Sequence, residues 1–426
     1  MNQLIAGAAK VVIPIPEDFF PYRAWGPRKL TGEHDPLCVR ALYLRADLPL
    51  LIVVIETGDI PPEWNGRLAE AIGLSPGQVL ISATHTHTAP YIGSYWPEDV
   101  HDPEKTSQYT ALAWNAVLEA VSTAVSGAVP AVAAYGTGSC HVNVNRDVQG
   151  VDPFSGELSW TQGQNFHGLS DKTLGVLKVA GTDGSPLAVL LNYAVHSSIL
   201  FGTNQKDGGQ LASGDLAGSA MRQIEAQTGC VALFTMAPAA DQDPRYRAQV
   251  MSVTADGRPE FTDYGMGSYA LVESLGRELA AETVSTWESL NPGPLSKICS
   301  DIGTIWIPGK ERNEGPHASI PKSTADYVPA DPVPVVITTA ALGDTIVVGV
   351  GCEITTPIGM DIRSSLREAG FEKVMIVTQC NGSSSYMCDD EGYETMTFTA
   401  KASRMMPGAS RYLVDGIAAL TGSIRH

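Results

Sequence analysis

The strongest constraint on the fold is a series of short apolar runs, rich in valine and isoleucine, that recur along the chain. Several are apolar at nearly every position, which is typical of strands in a sheet whose two faces are both covered. These runs predict strands at 48–56, 77–85, 174–181, 186–196, 230–238, 334–351 and 373–380. Gly343 and Asp344 divide the run at 334–351, and this dipeptide predicts a hairpin turn between two strands.

Stretches with apolar residues at helical spacing lie between these runs. They predict helices at 107–125, 268–287, 356–370 and 406–422. A further helix is expected after the segment ASGDLAG, with Ser213 or Asp215 as its capping residue. Because strands alternate with helices and at least one hairpin is present, we expect an α/β fold, a mixed β-sheet core with flanking helices.

The chain of 426 residues shows no internal repeat and no convincing domain boundary, so we expect a single domain over 1–426. Residues 308–335 carry many prolines and charges without any periodicity. Such a segment predicts a long loop, which is either a functional lid or a surface excursion.

Composition argues against several classes of function. The net charge of −18 argues against nucleic-acid binding and against docking on an anionic membrane. Neither a membrane-spanning run nor a signal-peptide pattern is present, so we expect no strong membrane association. The seven scattered cysteines form no CxxC pair, which favours a reducing, cytoplasmic environment. A small-molecule substrate is the expected partner, and the oligomeric state is left open.

Two histidines stand two positions apart in ISATHTHTAP, where an apolar run gives way to a loop. In an extended strand, residues i and i+2 face the same way, about 6.5–7 Å apart. We therefore expect His85 and His87 to share one face, with Thr84 and Thr86 on the other. Because ligand sites gather at strand ends in α/β proteins, the pair indicates a metal site. The alternative is two histidines that hydrogen-bond to the loop backbone.

Four more polar residues stand at the ends of other predicted strands. His196 ends LLNYAVHSS and is either a satisfied core histidine or a ligand. Glu353 follows TIVVGVGC and either caps the next helix or serves a site. Tyr386 lies in a loop rich in glycine and serine, where backbone can approach a ligand closely. Arg146 is either solvated or, inside a cleft, holds an oxyanion or carboxylate.

With these residues in view, the chain resembles the neutral, non-lysosomal ceramidase family, in the form of a short bacterial relative. The segments that carry the resemblance occur in order along nearly the whole chain: ISATHTHTAP, NYAVHSS, SGD, APAADQDP, GCEITTPIG, CNGSSSYMCDD and SRMMPGAS. The resemblance implies the fold of that family's catalytic domain, without the C-terminal β-domain of the secreted enzymes.

That family is zinc-dependent and hydrolyses the amide of N-acylsphingosine. Carried over to this sequence, the resemblance implies one zinc ion per chain, held by His85, His196, Glu353 and Tyr386. It also implies that His87, Arg146 and Tyr386 are the catalytic residues. Two imidazoles and a carboxylate are a hydrolytic zinc set that leaves room for water. His87 is then placed to carry a proton to the leaving amine, and Arg146 to stabilise the developing oxyanion.

One position departs from the family pattern. The family has a second tyrosine twelve residues after the ligand tyrosine, and here that position is Phe398, with Tyr393 nearby at a different spacing. A missing oxyanion donor costs about 2–4 kcal/mol of transition-state stabilisation, unless the substrate itself differs. Because a cytoplasmic acidic protein meets membrane lipids rarely, we expect the substrate to be a soluble N-acyl compound.

Three alternatives stay open at this point. The protein is a genuine ceramidase, or an ester or glycoside hydrolase on the same metal site, or a zinc-binding relative without catalysis. The last alternative is motivated by Phe398. A deep apolar groove at the site would favour a lipid, and a small polar pocket would favour a sugar or amino-acid derivative.

Overall fold

The computed structural model describes residues 3–24, 28–93, 102–151, 158–254, 258–311 and 323–424. The strands of these residues are β1 (Ile5–Val12), β2 (Tyr22–Arg23), β3 (Lys29–Glu33), β4 (Cys38–Arg45), β5 (Pro49–Ile55), β6 (Val79–Ala83), β7 (Val129–Ser139), β8 (Asn143–Val151), β9 (Leu158–Asn165), β10 (Thr173–Gly181), β11 (Pro186–Tyr193), β12 (Gln210–Ala212), β13 (Val231–Met236), β14 (Gln242–Pro244), β15 (Gln249–Val253), β16 (Pro259–Asp263), β17 (Ile298–Lys310), β18 (Pro329–Leu342), β19 (Thr345–Val350), β20 (Glu353–Ile354), β21 (Lys373–Val377) and β22 (Tyr386–Met387).

The helices are α1 (Glu63–Ile72), α2 (Pro103–Ser126), α3 (Asp215–Thr228), α4 (Ser268–Ser289), α5 (Thr356–Glu368), α6 (Asp390–Thr395), α7 (Phe398–Ala402) and α8 (Ala409–Ser423). All four helices predicted from apolar spacing are present, as α2, α4, α5 and α8. None of the described helices is long and apolar enough to cross a lipid bilayer.

Two mixed sheets form the core of the described chain. The larger has the strand order β13-β11-β10-β7-β1-β4-β5-β6, and the smaller has the order β17-β18-β19-β21. The pairs β5–β6, β11–β13 and β19–β21 are parallel, whereas the other neighbours in these sheets run antiparallel. The α/β fold with a mixed sheet is therefore confirmed, and its core consists of two such sheets rather than one.

The alternation of side chains along β4 explains why both faces of the larger sheet are covered. Val39 and Ala41 pack with α1 and α2 on one face, and Leu42 and Leu44 pack against the smaller sheet on the other. Further along the same sheet, α3 and α4 cover β10, β11 and β13. The outer face of the smaller sheet packs against α5 and α8. The layers therefore run helix, sheet, sheet, helix.

The smaller sheet contains both the predicted hairpin and the predicted loop. Leu342 pairs with Thr345 across the turn, so the hairpin prediction is confirmed. The loop predicted at 308–335 is wrong at both ends, because β17 and β18 continue into it as an antiparallel ribbon. Its prolines are tolerated because β18 pairs with β19 only from Ile337 onward, which leaves the earlier part of the strand with one free edge. Residues 312–322 of this segment lie outside the described residues.

The parallel pairs end at one common edge, where the two sheets are tied together. The backbone N–H of Thr378, just after β21, donates to the Met236 carbonyl at the end of β13 over 2.8 Å. The N–H of Asn381 donates to the Ile81 carbonyl of β6, also over 2.8 Å. Carboxyl ends of parallel strands commonly line ligand sites. At this edge His85 comes after β6, His196 after β11 and Glu353 after β19.

Candidate metal centre and substrate cavity

Two histidines and a glutamate converge beyond the ends of β6, β11 and β19. His85 Nε2 lies 3.3 Å from one carboxylate oxygen of Glu353, and His196 Nε2 lies 3.0 Å from the other. Both histidines are completely buried, and Glu353 is only 5% exposed. The structure therefore brings together three of the four ligands expected from the sequence, although they come from distant parts of the chain.

The two imidazoles are oriented by backbone carbonyls. His85 Nδ1 lies 2.5 Å from the Gly58 carbonyl oxygen, and His196 Nδ1 lies 2.9 Å from the Gln242 carbonyl oxygen. Because a carbonyl only accepts, each Nδ1 carries the hydrogen and each Nε2 is directed into the site. Metal-binding histidines in proteins are commonly held in this way.

The local geometry of the THTH segment differs from the extended strand expected from the sequence. β6 ends at Ala83, and His85 has a φ of 59°, in the left-handed region. The prediction that His85 and His87 occupy one face of a strand is therefore wrong. The turn nevertheless brings the two rings together, with 3.3 Å between their Nε2 atoms. The sharp turn, rather than strand spacing, produces this approach.

The threonines of this segment fasten it to the turn that precedes α3. The hydroxyls of Thr86 and Thr88 donate to the Ser213 carbonyl oxygen over 2.8 and 3.0 Å. The third hydroxyl, that of Thr84, is buried and has no hydrogen-bond partner among the described residues. Thr86 and Thr88 therefore hold the histidine-bearing loop in place, whereas the Thr84 hydroxyl does not.

The same turn also holds the segment that follows His196. The Asp215 carboxylate accepts bonds from the backbone N–H groups of Ile199 and Leu200, over 3.2 and 2.9 Å. The expected capping of α3 by Ser213 or Asp215 is wrong, because the N-cap is Gly214 and no described side chain caps the helix. The SGD segment instead links both histidine-bearing loops.

Glu353 serves the site and does not cap the next helix. The N-cap of α5 is Thr355, two residues further along the chain. The Glu353 carboxylate contacts the two histidines and also accepts a bond from Gln379 Nε2 over 3.0 Å. Gln379 was missed by the sequence analysis, which placed it inside the strand predicted at 373–380, whereas β21 ends at Val377.

The centre combines an ionised carboxylate, that of Glu353, with a neutral imidazole, that of His87. Burial opposes ionisation of Glu353, but the imidazoles of His85 and His196 outweigh it and hold the pKa of the carboxyl well below its usual value. Burial, together with the neighbouring imidazoles of His85 and His196, holds the pKa of His87 well below its usual value. At neutral pH, His87 is therefore an uncharged imidazole that is able to accept a proton.

Tyr386 lies beside Glu353 because β20 and β22 pair in parallel with these two residues in register. Burial raises the pKa of Tyr386 to about 12, and the Glu353 carboxylate acts in the same direction. The nearby Arg146 guanidinium acts in the opposite direction but does not cancel the rise. The phenol therefore keeps its proton at neutral pH.

The donor chemistry of the centre suits a metal ion. His85, His87 and His196 each offer one ring nitrogen, and these three atoms lie within 4.8 Å of one another. Glu353 adds carboxylate oxygens at the same place. Imidazole nitrogens combined with a carboxylate are a donor set that Zn²⁺ accepts.

This centre opens into a cavity of about 260 Å³. All three residues predicted as catalytic line it, His87, Arg146 and Tyr386. We refer to His85, His196 and Glu353 as the floor of the cavity. We refer to Gln162, Arg247 and Phe398 as its mouth. Most of the lining side chains are polar or charged, and the apolar ones are Phe201, Phe398 and Ala402. The cavity is therefore small, and its lining combines polar and charged groups with apolar surface.

Arg146 is buried in the cleft and not solvated. It is 2% exposed, and its Nη1 lies 3.5 Å from an oxygen of Asp243. Its Nε and Nη2 have no hydrogen-bond partner among the described residues. A buried cation with unsatisfied N–H groups in a cavity is suited to bind an oxyanion or a carboxylate.

Phe398 has a contact of its own at this site. The Arg146 guanidinium lies 5.4 Å from the centre of the Phe398 ring and 5.6 Å from that of Tyr386. Tyr393 does not replace the tyrosine expected at position 398, because its hydroxyl donates to the Met405 carbonyl inside a separate core cluster. The wall beside Arg146 is therefore aromatic but carries no second hydroxyl from these two positions.

Sequence reasoning also missed three charged residues near the centre. Asp243 and Arg247 line the cavity together with Arg146. Asp59 follows the glycine that binds His85, and burial raises its pKa to about 7. Only Asp243 belonged to a segment that the sequence analysis singled out, APAADQDP, where no role was assigned to it.

Comparisons with known proteins support the fold. No protein-family model matches the chain, and no curated protein matches its sequence. Two solved structures match it over all of its length: a ceramidase complexed with C2 and the neutral ceramidase from Pseudomonas aeruginosa. For the first the TM-score is 0.77 at 15% identity, covering 76% of that chain. For the second it is 0.76 at 16% identity, covering 75% of that chain. The chain has the neutral-ceramidase fold.

The resemblance found in the sequence is therefore confirmed at the level of fold. Within this neutral-ceramidase fold, the segments ISATHTHTAP, NYAVHSS, GCEITTPIG and CNGSSSYMCDD contribute residues to one centre or its cavity. At 15–16% sequence identity, the two matched structures show the fold of this chain and not its activity. A proposal about activity has to rest on the geometry of the site.

Proposed function

We propose that this protein is a zinc-dependent hydrolase that cleaves the amide bond of a soluble N-acyl compound with water. The observation that carries the proposal is the convergence of His85 Nε2, His196 Nε2 and the Glu353 carboxylate on a buried floor that opens into a cavity. Such ligands leave room for a substrate at the metal. We assign one zinc ion per chain, with Tyr386 as the fourth ligand.

When bound, zinc supplies Lewis acidity that polarises the amide carbonyl and lowers the pKa of water toward about 7. The chain's own residues account for the remaining steps. His87, neutral and facing the cavity, takes a proton from the attacking water and delivers it to the amine nitrogen as the C–N bond breaks. The products are a carboxylic acid and an amine.

The carbonyl oxygen gains negative charge as water adds to the carbonyl carbon. Arg146 stabilises that charge, because its Nε and Nη2 hydrogens are unsatisfied in a buried site. Tyr386 would be a zinc ligand only in the substrate-free site; with substrate bound, its protonated hydroxyl, next to the same guanidinium, is the second donor that we assign to this oxygen. The Arg146 guanidinium is held by Asp243 before the substrate arrives, and such preorganisation is the condition for strong stabilisation.

The size of the cavity and the charged groups that line it support a small substrate that carries polar groups. Its volume of about 260 Å³ lies below the range of about 300–1,000 Å³ that is typical of pockets for drug-sized ligands. A sugar or amino-acid derivative fits this better than a lipid with two long chains. We also propose a cytoplasmic location, in keeping with the net charge of −18 and seven free thiols.

Cleavage of N-acylsphingosine is the second candidate function. The neutral-ceramidase fold favours it, since both matched structures are ceramidases. Ester or glycoside hydrolysis and zinc binding without catalysis are further outcomes that one assay separates.

The test is turnover of a panel of N-acyl amino acids, N-acyl sugars, esters, glycosides and a fluorescent short-chain ceramide in detergent. We expect the zinc-loaded protein to hydrolyse one or more small amides, a chelator to abolish this, and added zinc to restore it. His196→Ala should remove both zinc and activity, whereas His167→Ala, at an exposed histidine, should change neither.

Turnover of ceramide in preference to every small amide would establish the second candidate. Hydrolysis of esters or glycosides without amides would change the reaction class. No turnover of any panel member by a fully zinc-loaded protein would overturn the proposed activity.

A further inference from the structure

Arg247 is the one lining residue shared by two neighbouring cavities among the described residues. It lines the catalytic cavity of about 260 Å³ and an adjoining cavity of about 380 Å³. Its side chain is 23% exposed, whereas that of Arg146 is 3% exposed. Arg247 thus stands at the mouth, where a ligand meets it before reaching the floor.

Arg247 shares its carboxylate partner with a second guanidinium. A single carboxylate, that of Asp243, lies between two guanidinium groups: one oxygen is 3.5 Å from Arg146 Nη1 and the other is 3.2 Å from Arg247 Nη1. Asp243 is itself buried, with only 3% of its side chain exposed. Glu353, the other carboxylate of the cavity, is engaged by His85 and His196. Neither guanidinium therefore has a carboxylate of its own in this pair of contacts.

We infer that the substrate carries a carboxylate close to the scissile amide, and that Arg247 binds this carboxylate and sets the specificity of the site. The cleavage step itself rests on the proposed function. The binding of a small carboxylate by Arg247 does not depend on it.

The geometry favours a carboxylate over larger or more highly charged groups. A guanidinium presents its donors as a planar fork that matches the two oxygens of a carboxylate. Asp243 contacts only Nη1 of Arg247, which leaves the other donors of that fork for a ligand. A phosphate dianion would need a second cation, and Arg146 lies deeper, where the proposed oxyanion forms. A small cavity also leaves little room for a bulky anion.

The test compares two matched pairs of substrates with the zinc-loaded protein. N-butyrylglycine against N-butyrylglycinamide places the carboxylate on the amine side, and N-propylsuccinamic acid against N-propylbutyramide places it on the acyl side. We expect kcat/KM to favour the carboxylate member of one pair about 10- to 100-fold, mainly through KM, as for a charged hydrogen bond. Arg247→Gln should bring that ratio close to one, and Arg247→Lys should retain part of it.

Arg245→Gln is the matched control, because Arg245 lies on the same segment but pairs with Glu278 and does not line the catalytic cavity. It should leave the ratio unchanged. Equal kcat/KM for both members of both pairs would overturn the inference, as would a carboxylate preference that survives in Arg247→Gln.

If neither pair is hydrolysed, calorimetric titration with the two carboxylates separates the inference from the proposed function. Binding that is at least about tenfold weaker in Arg247→Gln than in the parent protein would support the carboxylate site while the amidase proposal fails. Equal binding by the two proteins, or none, would overturn the inference.

Discussion

The floor and the mouth of the cavity are built on different principles. Every side chain of the floor is buried and oriented by a fixed partner: a backbone carbonyl for each of His85 and His196, and Gln379 for Glu353. The side chains of the mouth are partly exposed. Arg247 is held by an ion pair with Asp243, whose carboxylate also pairs with Arg146. We therefore propose that the floor sets the chemistry and that the mouth sets which molecule undergoes it.

Removing a floor donor should produce the largest effect. In Glu353→Gln, zinc affinity should fall by more than about 100-fold. Removing a residue that only holds a metal ligand in place already lowers affinity about 10- to 100-fold, and Glu353 is itself a proposed ligand. Competition with a chromogenic chelator measures the change, and circular dichroism confirms that the protein is folded. Glu278→Gln, which alters a partly exposed glutamate, should bind zinc like the parent protein. Equal zinc affinity in Glu353→Gln and the parent would remove Glu353 from the metal centre.

A smaller but still clear effect should follow from loosening the support of the floor. The double variant Thr86→Val and Thr88→Val keeps the shape of both side chains and removes their bonds to the Ser213 carbonyl. Zinc affinity should fall by about 10- to 100-fold, as for other losses of support around a ligand. Cobalt-substituted protein should show an altered absorption spectrum, which a general loss of stability would not produce.

The matched control for that variant lies in the same segment. Thr84→Val removes a buried hydroxyl that has no partner among the described residues, so zinc affinity should stay at the parent value. If Thr84→Val weakened zinc binding as much as the double variant, the two bonds to Ser213 would not be what positions the histidines.

The smallest effect should come from the mouth. Phe398→Leu removes the ring that faces Arg146 at 5.4 Å, a contact worth about 0.5–2 kcal/mol, so kcat/KM should fall by about 2- to 30-fold. Zinc content should not change, because the three floor residues remain in place and Phe398 packs against the ring of Tyr386, with 6.0 Å between the ring centres. Phe166→Leu, at an exposed phenylalanine, should leave kcat/KM unchanged. A loss of zinc in Phe398→Leu would show that floor and mouth are not independent.

The sequence was informative where chemistry follows a strand. His196, Glu353 and Arg146 were found because each is a polar residue near the end of an apolar or alternating run, and the structure brings all three to one cavity or its floor. Several strands and the four helices α2, α4, α5 and α8 could be predicted for the same reason, since burial imposes a regular pattern on side chains. The strands β1, β4 and β17 were missed.

The sequence did not predict the features of the site that depend on backbone groups and on turns distant in the chain. The carbonyls of Gly58, Gln242 and Ser213 orient the histidine-bearing loops, and every residue has a carbonyl, so no side-chain pattern marks these three. The left-handed turn at His85 is likewise a tertiary effect. The sequence did not single out Arg247, because the cavity that it lines is formed by segments remote from it in the chain.

The most direct test of the account is a crystal structure of the zinc-loaded protein with anomalous difference maps measured on both sides of the zinc absorption edge. The account predicts one strong zinc peak per chain within bonding distance, about 2.0–2.2 Å, of His85 Nε2, His196 Nε2 and a Glu353 oxygen. A fully loaded protein whose zinc peak lies elsewhere, or is not bonded to these three residues, would contradict it.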